Sequence, residues 1–151
     1  MPSLDAVATL RDDVGVTTDA GYSGTPLHRK LGVKPGSRVL LSAAPPGFAL
    51  DHVPPDAVVH TRAAGSSYDV VVAFCPDRVR LDRRFGPLAD RLATAGALWV
   101  AWPKRASGVI TDLDENVVRE VGLGEGLVDV KVIAIDETWS GLKFVRRLRD
   151  R

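Results

Sequence analysis

Two short segments of this sequence place a tryptophan next to charged side chains, a combination suited to binding a ligand. The first is Trp102-Pro103-Lys104-Arg105, which offers a flat ring beside two cations. The second is Asp136-Glu137-Thr138-Trp139, which offers two carboxylates, a hydroxyl and a second ring. Together they could hold a small anionic or aromatic ligand, or the loop of a partner protein. The alternative is structural: both rings pack over the end of a sheet, and a carboxylate of the second segment pairs with the lysine of the first.

Two further residues are candidates because of their positions. Gly21-Tyr22-Ser23-Gly24 could fold over a sheet edge as a lid, with Tyr22 supplying a hydroxyl, or it could be only a turn before a helix that Thr25 caps. Pro46 lies in Ala43-Ala44-Pro45-Pro46-Gly47, directly after an apolar strand pattern. A ligand at the end of that strand would meet this loop. We therefore include Tyr22 and Pro46 among the predicted ligand-binding residues.

Two other features resemble active-site motifs but have simpler explanations. Cys75 follows a strand pattern, yet a single free cysteine is more often a small buried apolar residue than a nucleophile. Gly122-Leu123-Gly124-Glu125-Gly126 has the spacing of a phosphate-binding loop, but it follows a helix and precedes a strand. A phosphate loop requires the opposite order. We interpret the glycines as the end of a helix.

The composition restricts the classes of protein to consider. With 151 residues, of which 45% are hydrophobic and 26% charged, the chain can form one globular domain. The net charge of +1 does not favour nucleic acid or a membrane as a partner. One cysteine and three widely spaced histidines predict neither a disulfide framework nor a metal site. The N-terminus lacks the pattern of a signal peptide, so we expect a cytoplasmic protein.

Charge is distributed unevenly along the chain. Residues 1–20 contain four aspartates and one arginine, whereas the segment from Lys143 to Arg151 is strongly basic. The two ends could attract each other. We predict that residues 1–20 form a flexible arm and that residues 21–151 form a single domain.

The hydrophobic pattern predicts strands that alternate with helices. A continuous apolar run follows the turn Lys34-Pro35-Gly36-Ser37, and Tyr68–Phe74 is the clearest strand in the chain. Helical spacing follows at Leu81–Leu92, and the last two strands are expected at Val128–Ile135 and Leu142–Arg147. The order predicts a three-layer α/β fold with a mostly parallel sheet and one antiparallel strand in a C-terminal hairpin.

Three segments resemble class I methyltransferases in the expected order. Lys34–Leu40 is similar to their first strand, Tyr68–Val72 to their fourth, and Leu88–Val100 to the helix and fifth strand that follow. The resemblance implies a methyltransferase-like fold that is shortened by one strand-helix unit. A second set of segments, Gly32–Leu40, Trp99–Lys104 and Asp136–Leu142, resembles a family of small uncharacterised bacterial proteins that is common in actinobacteria.

The sequence departs from a methyltransferase where the cofactor S-adenosylmethionine (SAM) would bind. The resemblance implies glycines after the first strand and an acidic residue after the second. This chain instead has Ala44-Pro45-Pro46 and His60-Thr61 at those points. Two prolines remove two backbone N–H donors, and no carboxylate is available for the ribose. We therefore predict that the chain uses no cofactor, with SAM held by an atypical loop as the alternative.

Ligands of open parallel sheets bind outside the carboxyl ends of the strands, so the loops there are the expected site. We predict a non-catalytic methyltransferase-like domain, monomeric or homodimeric, that binds a protein or small ligand at this edge. The alternative is a small transferase that uses SAM or a nucleotide. No acid, base and nucleophile have an interpretable spacing, so no catalytic residue is predicted. The predicted ligand-binding residues are Tyr22, Pro46, Trp102, Lys104, Glu137, Thr138 and Trp139.

Overall fold

The computed structural model describes residues 24–151, so the predicted N-terminal arm and Tyr22 lie outside the described residues. The elements follow along the chain as α1 (Leu27–Lys30), β1 (Arg38–Ser42), β2 (Val58–His60), β3 (Tyr68–Phe74), α2 (Arg78–Ala89), β4 (Leu92–Pro103), α3 (Glu115–Gly124), β5 (Leu127–Ala134) and β6 (Trp139–Arg146). Short 3-10 helices occur at Arg105–Ser107 and Leu148–Asp150. Among these residues, no helix is both long and apolar enough to cross a bilayer.

The strands of residues 24–151 form one sheet in the order β2-β1-β3-β4-β6-β5. β1 runs parallel to β2 and β3, and β3 runs parallel to β4. β6 is antiparallel to both of its neighbours, β4 and β5. β5 and β6 together form the C-terminal hairpin. This topology confirms the predicted fold class, a mostly parallel α/β sheet with one antiparallel strand.

The two faces of the sheet are covered by different kinds of layer. On one face, α2 and α3 pack against the sheet through residues such as Phe85 and Val118. On the other face, Leu31 and the loop 43–57 cover a second apolar cluster that includes Trp99. The Trp99 indole N–H donates to the Leu31 carbonyl at 3.1 Å. The third layer therefore consists of one helical turn and a long loop, which are tied to the sheet by this bond.

The segment predicted to be helical ends earlier in the structure than expected, and Gly96 lies inside β4. The helix α2 already ends at Ala89, and the strand starts at Leu92. The pairing between β3 and β4 shifts register after Tyr68, which lies opposite Leu92. A Cβ atom on Gly96 would lie 2.6 Å from the Tyr68 carbonyl oxygen. The glycine is required for this close approach of two backbones at the irregularity.

The helix α3 is held close to the sheet because Gly122 has no side chain. A Cβ atom at Gly122 would lie 2.0 Å from Cε1 of Phe144 on β6. The Phe144 ring also contacts Phe85 of α2 at a centroid separation of 5.3 Å. One aromatic ring thus fixes the positions of both helices, and the space beside Gly122 is completely filled.

We expect Gly122→Ala to destabilise the protein by about 1–3 kcal/mol, because the added methyl overlaps the Phe144 ring. Gly124→Ala is the matched control, since a Cβ atom there meets nothing within 4 Å. Alanine stabilises a helix by up to about 1 kcal/mol relative to glycine, so the control should be neutral or stabilised. Urea unfolding followed by circular dichroism measures both. Equal effects of the two substitutions would contradict the close packing.

Candidate functional site

The carboxyl ends of β1, β3 and β4 lie along one edge of the sheet, where the sequence predicts the ligand site. β1 ends at Ser42, which pairs with Ala73 of β3. β3 ends at Phe74, which pairs with Ala101 of β4, and β4 continues to Pro103. Because the loops that follow all begin at this edge, their side chains decide what can bind there.

The loop after β1 folds back onto the sheet. The Phe48 N–H donates to the Pro45 carbonyl at 3.0 Å, which closes a tight turn around the exposed Pro46. The Phe48 ring contacts the Phe74 ring at 4.9 Å between centroids, in an edge-to-face arrangement. This ring therefore occupies space above the end of β3, and the prolines contribute no N–H groups to the loop.

β2 stops before it reaches the carboxyl edge. Its last residue, His60, pairs with Leu40, whereas β1 continues to Ser42. The His60 Nδ1 atom lies 2.6 Å from the Tyr68 hydroxyl, which holds the ring beside the start of β3. No carboxylate occupies this end of β2, because Thr61 follows His60. The residues after β1 and β2 thus do not fit the contacts that the methyltransferase resemblance implies for SAM.

Asp136 organises the turn that carries the predicted residues of the second segment. Its Oδ1 atom accepts the N–H groups of both Thr138 and Trp139 at 2.8 Å. The Thr138 carbonyl accepts the N–H of Lys104 at 2.8 Å, so this turn is bonded to the end of β4. Lys104, Thr138 and Trp139 are therefore brought together, and the exposed Glu137 directly precedes Thr138.

The two predicted rings do not belong to one site, because they lie on opposite faces of the sheet. Trp139 pairs with Pro103 and packs against Phe74, with ring centroids 5.2 Å apart. Trp102 is one residue away in register, opposite Ser140, and its side chain is 5% exposed within the core under α2 and α3. Successive side chains of a strand point to opposite faces, which separates the rings. The prediction of one site containing both rings is corrected accordingly.

A cavity of about 400 Å³ lies on the α2/α3 side of the carboxyl edge. The end of β4 and the segment that leads to α3 form its lining, which combines apolar and charged side chains with a hydroxyl. The lining residues are Trp102, Pro103, Arg105, Gly108, Val109, Ile110, Thr111, Asp112, Leu113 and Asp114. Sequence reasoning included only the start of this segment, up to Ser107. The apolar pair Val109-Ile110 before a run of acidic residues is the signal that identifies the remainder.

Hydrogen bonds to the loop after β3 hold the cavity wall in place. The Thr111 hydroxyl donates to the Pro76 carbonyl at 2.7 Å, and Oδ1 of Asp112 accepts the Arg78 N–H at 2.8 Å. Asp114 caps α3 by accepting the Val117 N–H at 2.8 Å. Asp112, two residues before this cap, joins the cavity wall to the first turn of α2.

The rim of the cavity is apolar and accessible. The Ile110 side chain is 97% exposed and that of Val109 is 49% exposed. Arg105, also exposed, adds a guanidinium to the same opening. Such an arrangement can bind a molecule with an apolar body and an anionic group.

Cys75 is buried and protonated. Burial raises the pKa of its thiol to about 11, and the nearby Arg84 offsets only part of this effect. The Sγ atom lies 3.6 Å from the Ala73 carbonyl, to which the thiol donates. Because the thiolate is the nucleophilic form, Cys75 packs as a small apolar residue rather than reacting.

Comparison with known proteins identifies the fold. No protein-family model matches the sequence, and no curated protein matches it. Solved structures do match. A SAM-dependent methyltransferase from Aquifex aeolicus is 13% identical with a TM-score of 0.54, over 77% of this chain and 85% of that one. A TehB-like SAM-dependent methyltransferase from Corynebacterium glutamicum is 11% identical with a TM-score of 0.51, over 80% and 85%.

The magnesium protoporphyrin IX methyltransferase of Synechocystis PCC 6803, solved with bound SAM, is 13% identical with a TM-score of 0.53. The match covers 80% of this chain and 74% of that one. In two further matches this chain spans less than two thirds of the other protein's length: 54% of the same Synechocystis enzyme solved with bound SAH, and 65% of a protein from Bordetella parapertussis. The chain thus has the fold of class I SAM-dependent methyltransferases.

The same comparison contradicts the prediction that the chain uses no cofactor. The structures that share its fold are those of SAM-dependent enzymes, and one of them holds SAM. The prediction of no cofactor is therefore withdrawn. The sequence-based prediction rested on the absence of the glycines and of the ribose carboxylate. Those residues make the usual contacts with SAM, and their absence does not exclude SAM binding through other contacts.

We expect Cys75 to react with 5,5′-dithiobis(2-nitrobenzoate) at pH 8 about 100-fold more slowly in the folded protein than in urea. The rise of the pKa from 9.0 to about 11 reduces the thiolate fraction by that factor. A Cys75→Ser, Ser66→Cys variant is the control, because residue 66 is exposed and should react at the unfolded rate. Rapid labelling of native Cys75 would contradict this expectation and make Cys75 a candidate nucleophile.

Proposed function

We propose that this chain is a ligand-binding domain on the methyltransferase fold. In this proposal it takes a small, partly apolar anion in the cavity between β4 and α3 and binds SAM at the same edge of the sheet. The observation that carries the proposal is the cavity of about 400 Å³ at the carboxyl ends of parallel strands. Its size is within the range of small-molecule sites, and this edge is the usual place for ligands of such sheets.

The chemistry of the lining supports an amphipathic ligand. Trp102 and Leu113 provide buried apolar surface, while Val109 and Ile110 provide an apolar entrance. The carboxylates of Asp112 and Asp114 are engaged with backbone N–H groups. Arg105 is the cationic side chain of the lining, and it makes no ion pair within residues 24–151, which favours an anionic group on the ligand.

SAM binding is supported by the solved structures of the same fold, one of which holds SAM. The departures after β1 and β2 mean that SAM would bind in an atypical pose, without a ribose carboxylate. The predicted residues on the other side of the edge, Pro46, Lys104 and Glu137-Thr138-Trp139, are the proposed contacts, and Tyr22 is proposed with them. Aromatic surface from Trp139 and Phe48 can receive a flat base there.

The proposal assigns binding rather than catalysis to this edge. A catalytic set needs a nucleophile or base within reach of its partners. At this edge the Cys75 thiol is protonated, and the side chains of Asp112, Asp114 and Asp136 accept backbone N–H groups. The carboxylates therefore serve to hold loops in place.

The second candidate function is a small methyltransferase, which the solved SAM-dependent enzymes of this fold favour. The bacterial family suggested by the sequence, a cytoplasmic location and a monomeric or homodimeric state remain parts of the proposal. A loop of a partner protein also remains a candidate ligand in the proposal.

We expect SAM or S-adenosylhomocysteine to stabilise the full chain against heat. A ligand at 100 times its dissociation constant adds about 2.7 kcal/mol to the free energy of unfolding. Thermal shift and calorimetry with these compounds, and with adenosine triphosphate as a nucleotide control, measure the effect. Release of S-adenosylhomocysteine from SAM in the presence of candidate acceptors would favour the methyltransferase instead. Absence of binding for both sulfur compounds would remove SAM from the proposal.

We expect 1-anilinonaphthalene-8-sulfonate, which joins an apolar ring system to an anion, to bind the cavity with one-to-one stoichiometry. Ile110→Asp and Arg105→Glu should each weaken its binding at least about 10-fold, because they put negative charge at the rim. Leu148→Asp is the matched control, since Leu148 is 80% exposed and follows β6 at the opposite edge. Fluorescence titration decides the result. Equal affinity for all variants would place the probe elsewhere and contradict the cavity as a site.

A further inference from the structure

Every lysine of the chain belongs to one surface feature, which we name the lysine stripe. Of the 20 basic residues other than histidine, 15 are arginines and five are lysines. The arginines are spread along the sequence. The five lysines come from α1, the turn before β1, the end of β4, and the two hairpin strands: Lys30, Lys34, Lys104, Lys131 and Lys143.

The register of the sheet brings the hairpin lysines together. Lys131 on β5 lies directly opposite Lys143 on β6, so both side chains are on the same face. The Lys143 ammonium lies 6.0 Å from the centroid of the Trp99 ring. Trp99 in turn bonds to the Leu31 carbonyl, which brings the chain between Lys30 and Lys34 onto this face. The stripe therefore follows the junction between the third layer and the sheet.

Electrostatic effects within the stripe are unfavourable. Burial lowers the pKa of Lys143, and the charges of Lys131 and Lys34 lower it further. Burial likewise lowers the pKa of Lys30, with a further contribution from Lys104. Like charges directly opposite each other in a sheet are destabilising.

The described part of the chain does not supply a counter-charge for the stripe. The ion pairs within residues 24–151 are Arg78–Asp82, Arg80–Asp77, Arg119–Glu115 and Arg119–Asp129, and none includes a lysine. Five cations gathered on one face of a protein with a net charge of only +1 form a surface to which an anionic segment can bind.

We propose that the lysine stripe binds the acidic segment formed by residues 1–20 of the same chain. That segment contains four aspartates, Asp5, Asp12, Asp13 and Asp19, and one arginine, Arg11. The described residues begin at Gly24, only six residues before Lys30, so the acidic segment is covalently attached through a short length of chain to one lysine of the stripe. A short tether gives a local concentration in the millimolar range, which favours weak ion pairs that would not form between separate molecules.

Intramolecular binding also fits the balance of charge better than binding of a nucleic acid. A nucleic-acid surface normally accompanies an excess of positive charge, whereas here the acidic segment offsets much of the stripe. The end of the stripe nearest the carboxyl edge consists of Lys30 and Lys104. It lies beside the turn that carries Trp139.

Zero-length cross-linking of the full chain with a water-soluble carbodiimide tests the proposal. Peptide mapping should find bonds from Asp12, Asp13 or Asp19 to lysines of the stripe. These products should decrease at least about fivefold in 1 M salt, where the Debye length falls to about 3 Å. Cross-links confined to pairs of different molecules, identified with isotopically mixed protein, would overturn the intramolecular assignment.

A variant in which three carboxylates of the acidic segment are replaced by amides gives a second measurement. Asp12→Asn, Asp13→Asn and Asp19→Asn together should increase the acetylation rate of the lysines at least about threefold, because their anionic partners are lost. The matched control replaces three exposed aspartates of the domain by asparagine, Asp56, Asp90 and Asp150, and should leave the rate unchanged. Equal rates for both variants would contradict the proposal. Binding of a labelled single-stranded RNA that is equally tight with and without the substitutions would also contradict it and assign the stripe to an external polyanion.

Discussion

The hydrogen bond between the Trp99 indole and the Leu31 carbonyl connects residues 68 positions apart and fixes the third layer of the fold. The α1 face is covered by one helical turn and a loop, whereas two longer helices, α2 and α3, cover the other face. A buried donor that lost this acceptor would cost about 1–3 kcal/mol, so the bond strongly favours the docked position of Leu31. On the same face, the Phe74 ring makes edge-to-face contacts with Phe48 and Trp139.

The sheet could be predicted from the sequence because burial on both faces leaves a continuous apolar run. Tyr68–Phe74 is the clearest example, since six of its seven side chains are buried. The start of β4 could not be predicted in the same way. Ala93, Thr94 and Ala95 are not apolar enough to mark a strand, and Gly96 has the appearance of a helix stop until its contact with the Tyr68 carbonyl is seen.

The site was only partly predictable, because successive side chains of a strand alternate between the two faces of the sheet and the register decides which residues share a face. Trp102 and Trp139 are both at the carboxyl edge, as expected, but their faces depend on the antiparallel register, in which Pro103 rather than Trp102 lies opposite Trp139. A shift of one residue would have joined the two rings on one face. The cavity was missed because its wall depends on Thr111 and Asp112 reaching the loop after β3, and contacts over such distances in sequence leave no local pattern.

The confinement of all lysines to one face has a consequence for the chemistry of the protein surface. Side-chain acylation, whether by a reagent or by an enzyme, would remove positive charge from that face alone and leave the 15 arginines unaffected. Coupling through lysine to a solid support would likewise attach the molecule by the α1 side. The distribution of a single residue type thus makes the two faces of the sheet chemically different.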